Sequence, residues 1–142
     1  MSHARSKARH CALQALYQWQ LAGQGPEVVD IENQFFAAGA LKGVDKNYFC
    51  GLLHEVAAHV AEIDGHLGTC LDRPVRELDP VERAILRIGA WELAARPEIP
   101  YRVVINEAVE AAKLFGAEQS HRYVNGVLDR LAVRLRPLER GG

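Results

Sequence analysis

The chain has 142 residues, of which 49% are apolar and 25% charged, and a formal net charge of −1. That length suits one domain, or two small subdomains, with a sizeable core. It contains no apolar run long enough to span a bilayer, and its basic start, MSHARSKARHCALQALYQW, lacks the apolar core and cleavage site of a signal peptide, so a cytoplasmic protein is expected.

Cys11, Cys50 and Cys70 are odd in number and form no CxxC pair, which argues against a disulfide framework or a thiolate zinc site. Each reads as a small core residue. Charge is unevenly spread. Residues 1–26 carry Arg5, Lys7 and Arg9 and no acid, residues 27–82 hold eleven acids against four bases, and residues 83–142 hold ten bases against seven acids. Basic ends around an acidic middle suit an anionic partner, and a solvated face explains them equally well.

Residues 4–22 read as a helix, with Ala8, Ala12, Ala15, Leu16 and Trp19 on its apolar side. Arg5 and Arg9 form an i, i+4 pair at the N-terminal end, where the helix dipole disfavours cations. An external phosphate would relieve that conflict; fraying of the first residues would too. Gly23, Gly25 and Pro26 break the chain before a short helix over 28–38 with Val28, Ile31, Phe35 and Phe36. Asp45 is placed to cap a third helix whose Phe49, Leu52, Leu53, Val56, Val60 and Ile63 share one face. A short helix or turn follows around His66–Leu71, and Arg73-Pro74 leads into the next element.

That element, LDPVERAILRIGAWEL (78–93), has a full start signal: Asp79 as cap, Pro80 at the first position and Glu82 three residues after the cap. Ala84, Ile85, Leu86, Ile88, Gly89, Ala90, Trp91 and Leu93 cover most of its circumference, which predicts a central helix. Only Glu82, Arg83, Arg87 and Glu92 need water or partners, and the helix should end before Pro97. Residues 101–115 form another helix with Ile105, Ala108, Val109, Ala112 and Phe115 inward and Gly116 just past its end. Residues 118–135 form the last, with Val124, Val127, Leu128, Leu131 and Leu135 inward, and Pro137 and Gly141-Gly142 end the fold. Asn125-Gly126 would suggest a hairpin turn, but it lies inside a helical period, and the period wins. The chain is all-α, with about seven helices.

Chemistry is sparse. His54 and His59 resemble a zinc-protease pair, but i, i+5 spacing diverges by about 140° where i, i+4 would share a face. Neither a phosphate-binding loop, a dinucleotide glycine pattern nor a nucleophile elbow occurs. Ser120-His121 are adjacent, which does not make a dyad. Glu107 and Glu110 read as solvated acids. What remains is a surface: Gln119, Arg122, Tyr123 and Gly126 fall at i, i+3, i+4 and i+7. Hydrogen-bonding groups, a cation and an aromatic beside a glycine suit single-stranded RNA, whose bases stack and whose phosphates meet arginine. A tyrosine at a core margin is the commoner reading of the same residues.

Three segments in this order, ARSKARHCALQALYQWQL (4–21), LDPVERAILRIGAWEL (78–93) and IPYRVVINEAVEAAKLFGAEQSHRYVNGVLDRLA (99–132), resemble the NusB family of bacterial transcription antitermination factors, across the whole chain. The resemblance implies two perpendicular three-helix bundles sharing a core, an N-terminal helical subdomain over about 1–70 and a C-terminal one over about 71–138. It implies a non-enzymatic factor with no catalytic residue, cofactor or metal. Such a factor binds boxA RNA of ribosomal RNA leader transcripts together with NusE, a small-subunit ribosomal protein, in the RNA polymerase antitermination complex. Self-association is left open.

Carried over by position, the family's basic N-terminal segment corresponds to Arg5, Lys7 and Arg9, which would contact phosphates. The FGAEQSHRYVNG segment corresponds to a second RNA-contacting patch with Gln119, Ser120, Arg122 and Tyr123. Tyr17 and Glu82 match positions used toward NusE; their plain alternatives are a buried tyrosine and a capping acid. The chain is thinner in basic residues at its start than the most basic members. It has Gln119 where the family often has an acid and Tyr123 where it has Phe, so RNA binding is expected to be no weaker. Two other readings stand beside this one: a protein-only helical adaptor, and the RNA-binding part of a ribosomal RNA cytosine methyltransferase, for whose catalytic domain these residues leave no room.

Overall fold

The structure, a computed structural model, describes residues 3–25 and 27–140; Pro26 and the Gly141-Gly142 tail lie outside the described residues. The described residues form seven α-helices and one 3-10 turn, Val75–Glu77, and no strand. The helices are α1 (His3–Leu21), α2 (Val28–Ala37), α3 (Lys46–Ala58), α4 (Val60–Gly68), α5 (Pro80–Ala95), α6 (Tyr101–Phe115) and α7 (Ser120–Leu135). They belong to two compact units, Met1–His59 and Val60–Gly142.

In the first unit α1, α2 and α3 pack on one another. The alanine-rich stripe of α1 allows close packing: Ala8, Ala12, Ala15 and Leu16 have no exposed surface. The Phe35 ring of α2 lies 5.5 Å from that of Phe49 on α3, centroid to centroid, which adds an aromatic contact to the burial. Asp45 caps α3 as expected, accepting the Tyr48 N–H at 3.0 Å.

The apolar period running from Phe49 to Ile63 predicted one helix, and the structure has two. His59 interrupts it (φ −113°, ψ 23°). Its ring Nδ1 lies 2.9 Å from the Glu55 carbonyl, which also accepts the His59 backbone N–H. A side chain that competes for a helix carbonyl is a local alternative to the ladder. Val60 restarts the helix, α4 passes through Gly65, and the boundary between the two compact units falls between His59 and Val60.

In the second unit α5, α6 and α7 form a three-helix bundle, and α4 packs against α5. Asp79 accepts the N–H groups of Val81 and Glu82 at 3.0 and 3.1 Å, so the start of α5 is as the sequence predicts. Ala84 through Ala90 are all buried. Buried Arg87 is neutralised by a two-pronged pair with Asp64 of α4, at 2.9 and 2.8 Å. Such a fork geometry is what makes a buried arginine tolerable. A Cβ on Gly89 would stand 2.7 Å from Leu128 Cδ1, so this glycine is what lets α7 lie close to α5. Gly126 is not approached in that way: its Cβ would meet only Arg130 Nη1, at 3.5 Å. Phe115, expected inward, is 38% exposed, because α6 ends at that residue.

The chain after α7 is more than a terminus. The buried Arg136 guanidinium donates to the carbonyls of Leu93 (2.8 Å), Ile99 (2.9 Å), Arg96 (2.9 Å) and Glu92 (3.2 Å). It also holds the Glu139 carboxylate, whose other oxygen accepts the Tyr101 N–H at 2.8 Å. One arginine therefore satisfies carbonyls at the end of α5, and one glutamate caps α6, whose preceding residue, Pro100, has no side chain to do so.

Candidate nucleic-acid interface

Two sets of residues singled out in the sequence lie in different units. In the first unit Arg5, Lys7 and Arg9 project from the first turns of α1. The Arg5 guanidinium lies 4.4 Å from the centre of the Tyr48 ring and that of Arg9 5.3 Å from it. Tyr48 is buried in the first turn of α3, where the Asp45 cap holds its backbone. Two cations thus share one aromatic platform, which offsets the unfavourable end of the helix dipole. The three are unequal in exposure: Lys7 is exposed, Arg5 half-buried, and Arg9 buried, with 6% of its surface accessible. Tyr17 is half-buried on the same helix.

In the second unit the connection from α6 to α7 sets the geometry. Gly116, read from sequence as a residue past the helix end, is extended (φ −88°, ψ 173°), not left-handed. A Cβ there would fall 2.8 Å from the Ala112 carbonyl and 2.9 Å from Ser120 Oγ, so glycine is required by close approach. The left-handed residue is Gln119, at φ 72°. A non-glycine in that region costs about 1–2 kcal/mol, and such strain clusters at sites of function. Its effect is to turn the chain sharply into α7, leaving Gln119 exposed and its carbonyl bonded to the Arg122 N–H at 3.1 Å.

Ser120 is drawn inward. Only 3% of it is exposed, and its hydroxyl donates to Glu82 Oε2 at 2.7 Å. The structure therefore joins a residue matched to RNA contact with one matched to NusE contact. Arg122 is exposed, and Tyr123 and Glu82 are half-buried. The Tyr123 hydroxyl donates to Asp72 Oδ1 at 3.1 Å. Asp72 is at the same time gripped by Arg73, at 2.9 and 3.3 Å, and the Arg73 guanidinium stands 5.3 Å from the centre of the Tyr123 ring. The Arg73 hydrogen bond first, then that of Tyr123, holds the Asp72 carboxyl below the usual carboxylate range. Burial and then the Asp72 hydrogen bond push the Tyr123 phenol up. The only signal of the Asp72-Arg73 pair in the sequence is an acid and a base side by side before a chain-stiffening proline.

Beside Glu82, Arg83 has a buried Nε with no hydrogen-bond partner among the described residues. Burial lowers its pKa, and repulsion from Arg87 adds to this. His54 and His59 are turned to separate acceptors, Glu32 Oε1 at 2.8 Å and the Glu55 carbonyl. Cys50 departs from a plain apolar core residue. Half-buried, it bonds to Glu32, and burial followed by that bond and charge pushes its thiol up to about 11. No helix among the described residues is long and apolar enough to cross a membrane.

A model of the NusB family matches residues 6–133. Transcription antitermination protein NusB of Nitrosococcus oceani is 58% identical over 139 residues, covering 98% of this chain and 92% of that protein. The protein of the same name from Alcanivorax borkumensis is 58% identical over 136 residues, covering 96% and 89%. Among solved structures, T. maritima NusB superposes with a TM-score of 0.82 at 27% identity over 99% of this chain and 98% of that one. A chain from a complex of antitermination factors NusB and NusE with dsRNA superposes with a TM-score of 0.82 at 28% identity, over 92% and 97%.

Proposed function

Because the chain belongs to the NusB family, we propose that it is a transcription antitermination factor that binds boxA RNA of ribosomal RNA leader transcripts together with NusE, within the RNA polymerase antitermination complex. Its role is binding and not catalysis, and its place is the cytoplasm, where bacterial transcripts are made. The observation that carries the reading is the start of α7. A strained left-handed Gln119 brings an exposed amide, the exposed Arg122 cation and the half-buried Tyr123 ring together on one turn. Amide, guanidinium and aromatic face are the three groups that single-stranded RNA recognition uses, for base edges, phosphates and stacking.

In this reading Lys7 and Arg5 contact phosphates and set part of the salt dependence. Arg9, stacked on Tyr48, and Ser120, bonded to Glu82, hold their neighbours from behind. Glu82 and Tyr17 face NusE, and Ser120 fixes the Glu82 carboxylate for that contact. The test is binding of fluorescent boxA RNA against a scrambled RNA, with and without NusE, at two salt concentrations. Tight, boxA-selective binding that needs or is raised by NusE is expected, with loss of affinity on Tyr123→Ala and a shallower salt slope on Lys7→Ala. Absence of selective binding even with NusE would overturn the reading in favour of a protein-only adaptor.

A further inference from the structure

The Tyr123 hydroxyl and ring both have partners within the second unit. The hydroxyl is bonded to Asp72, and the guanidinium of Arg73 lies against the ring while both its used nitrogens point at the same carboxylate. Asp72 and Arg73 are both exposed. An exposed ion pair of this kind is held loosely, since water screens it, and a competing anion can replace one partner. RNA brings such an anion at each phosphate, at high local density along the strand.

We propose that Arg73 is an RNA-binding residue of this surface and that Asp72 is its built-in competitor, displaced from Arg73 by a phosphate when RNA docks. The inference rests on the reading of the α7 start as an RNA surface. Arg73 suits the task because a guanidinium can fork onto a phosphate while its flat face stays against an aromatic ring. The exchange keeps charge balanced at Arg73: one anion leaves it and another takes its place. Asp72 is left facing the phosphate and repels it, as does Glu82, whose charge also reaches Arg73. Asp72 therefore lowers affinity twice, by occupying the cation and by opposing the incoming strand. It restrains RNA that has too few other contacts to complete the exchange, which is a filter on length and fit as well as a brake.

Asp72→Asn removes the charge while the amide oxygen still accepts from Tyr123, and comparison with the Arg73→Met background separates the two effects. Binding of labelled boxA RNA is measured with NusE present for the unaltered protein, Asp72→Asn, Arg73→Met and the double variant. Thermal melts of all four serve as a folding control. The expected result is about three- to tenfold tighter binding for Asp72→Asn, with a salt slope steeper by about 0.7, the share of one phosphate contact on a single strand. Arg73→Met should weaken binding, and Asp72→Asn should bring a clearly smaller gain in its background, the part due to repulsion alone. An equal gain in both backgrounds would show Asp72 acting by plain repulsion and would overturn the exchange, as would no gain in either. If the unaltered protein with NusE does not select boxA over scrambled RNA, the RNA reading of the surface falls first and takes the exchange with it.

Discussion

Arg136 and Arg73 both belong to the second unit and both hold a carboxylate, yet they do opposite work. Arg136 is buried with 7% of its surface exposed, and its donors are spread over four backbone carbonyls and Glu139. Arg73 is exposed, and it forks onto one neighbouring side chain, Asp72. A guanidinium whose partners are backbone carbonyls at the end of α5 and in the connection after it cannot let go without opening that end of the helix. One whose partner is a single solvated carboxylate can exchange it. The number and mobility of the acceptors, and not the residue type, separate a structural arginine from a binding one.

The sharpest way to break the comparison is at Arg136. Arg136→Ala leaves carbonyls of Glu92, Leu93, Arg96 and Ile99 without this donor in a buried setting and should cost about 3 kcal/mol or more. A loss of that size lowers the melting temperature by about 10 °C in a protein of this length. Arg136→Lys should rescue little, because a point charge cannot reach acceptors spread around a planar fork. Arg73→Ala, by contrast, should leave the melting temperature unchanged while it alters RNA affinity. Thermal unfolding of the three variants decides this. A small shift for Arg136→Ala would show that water replaces the arginine and that the C-terminal segment is not what closes α5.

A smaller effect separates two glycines on facing helices. Gly89→Ala places a Cβ 2.7 Å from Cδ1 of Leu128, a side chain with no exposed surface. Overpacking of this kind costs about 1–3 kcal/mol. Gly126→Ala meets no such obstacle and should stabilise α7 by up to about 1 kcal/mol. If RNA backbone passes close to Gly126, the same change weakens RNA binding while it raises stability. Denaturant unfolding of the two variants should give shifts of opposite sign, and RNA titration should respond only to Gly126→Ala. Equal destabilisation by both would remove the distinction between a packing glycine and a surface one.

These contrasts follow the line between what local sequence encodes and what distant contacts decide. Helix starts at Asp45 and at Asp79-Pro80 were legible because a cap acts within three residues. The helical period also overruled Asn125-Gly126 correctly, since apolar spacing over α7 outweighs a two-residue turn preference. The break at His59 was not legible: the apolar stripe continues through it, and only the ring's bond to Glu55 marks the stop. The left-handed Gln119 could not be foreseen from a residue type that rarely adopts that conformation. Around the candidate site, exposure of Lys7, Gln119 and Arg122 followed from helix faces. Burial of Arg9 and Ser120 depends on Tyr48 and Glu82, which are remote in sequence. Arg136 is the extreme case, since its carbonyl partners lie 37 to 44 residues upstream, so nothing beside it in the chain announces its role.

Glu139 allows the mildest perturbation of the buried arginine cluster. The Tyr101 backbone N–H first, and the Arg136 hydrogen bond and charge after it, hold its carboxyl below the ordinary value of 4.5. A carboxylate whose folded pKa is depressed adds stability that is fully present above its unfolded pKa. That stability is lost as pH falls from the ordinary value through the lower folded one. Glu139→Gln removes the ionisation and keeps the shape. The variant should therefore melt below the unaltered protein at about pH 6, and the gap should narrow as pH falls below the ordinary carboxylate range and close once Glu139 is protonated in both states. Melting curves across that range test it directly. A gap that stays constant down to the acid end would mean that the Glu139 charge contributes nothing, and that the cap on α6 works through hydrogen-bond geometry alone. In that event Arg136 would hold the end of α5 by its backbone carbonyls, and its likeness to Arg73 would reduce to the guanidinium they share.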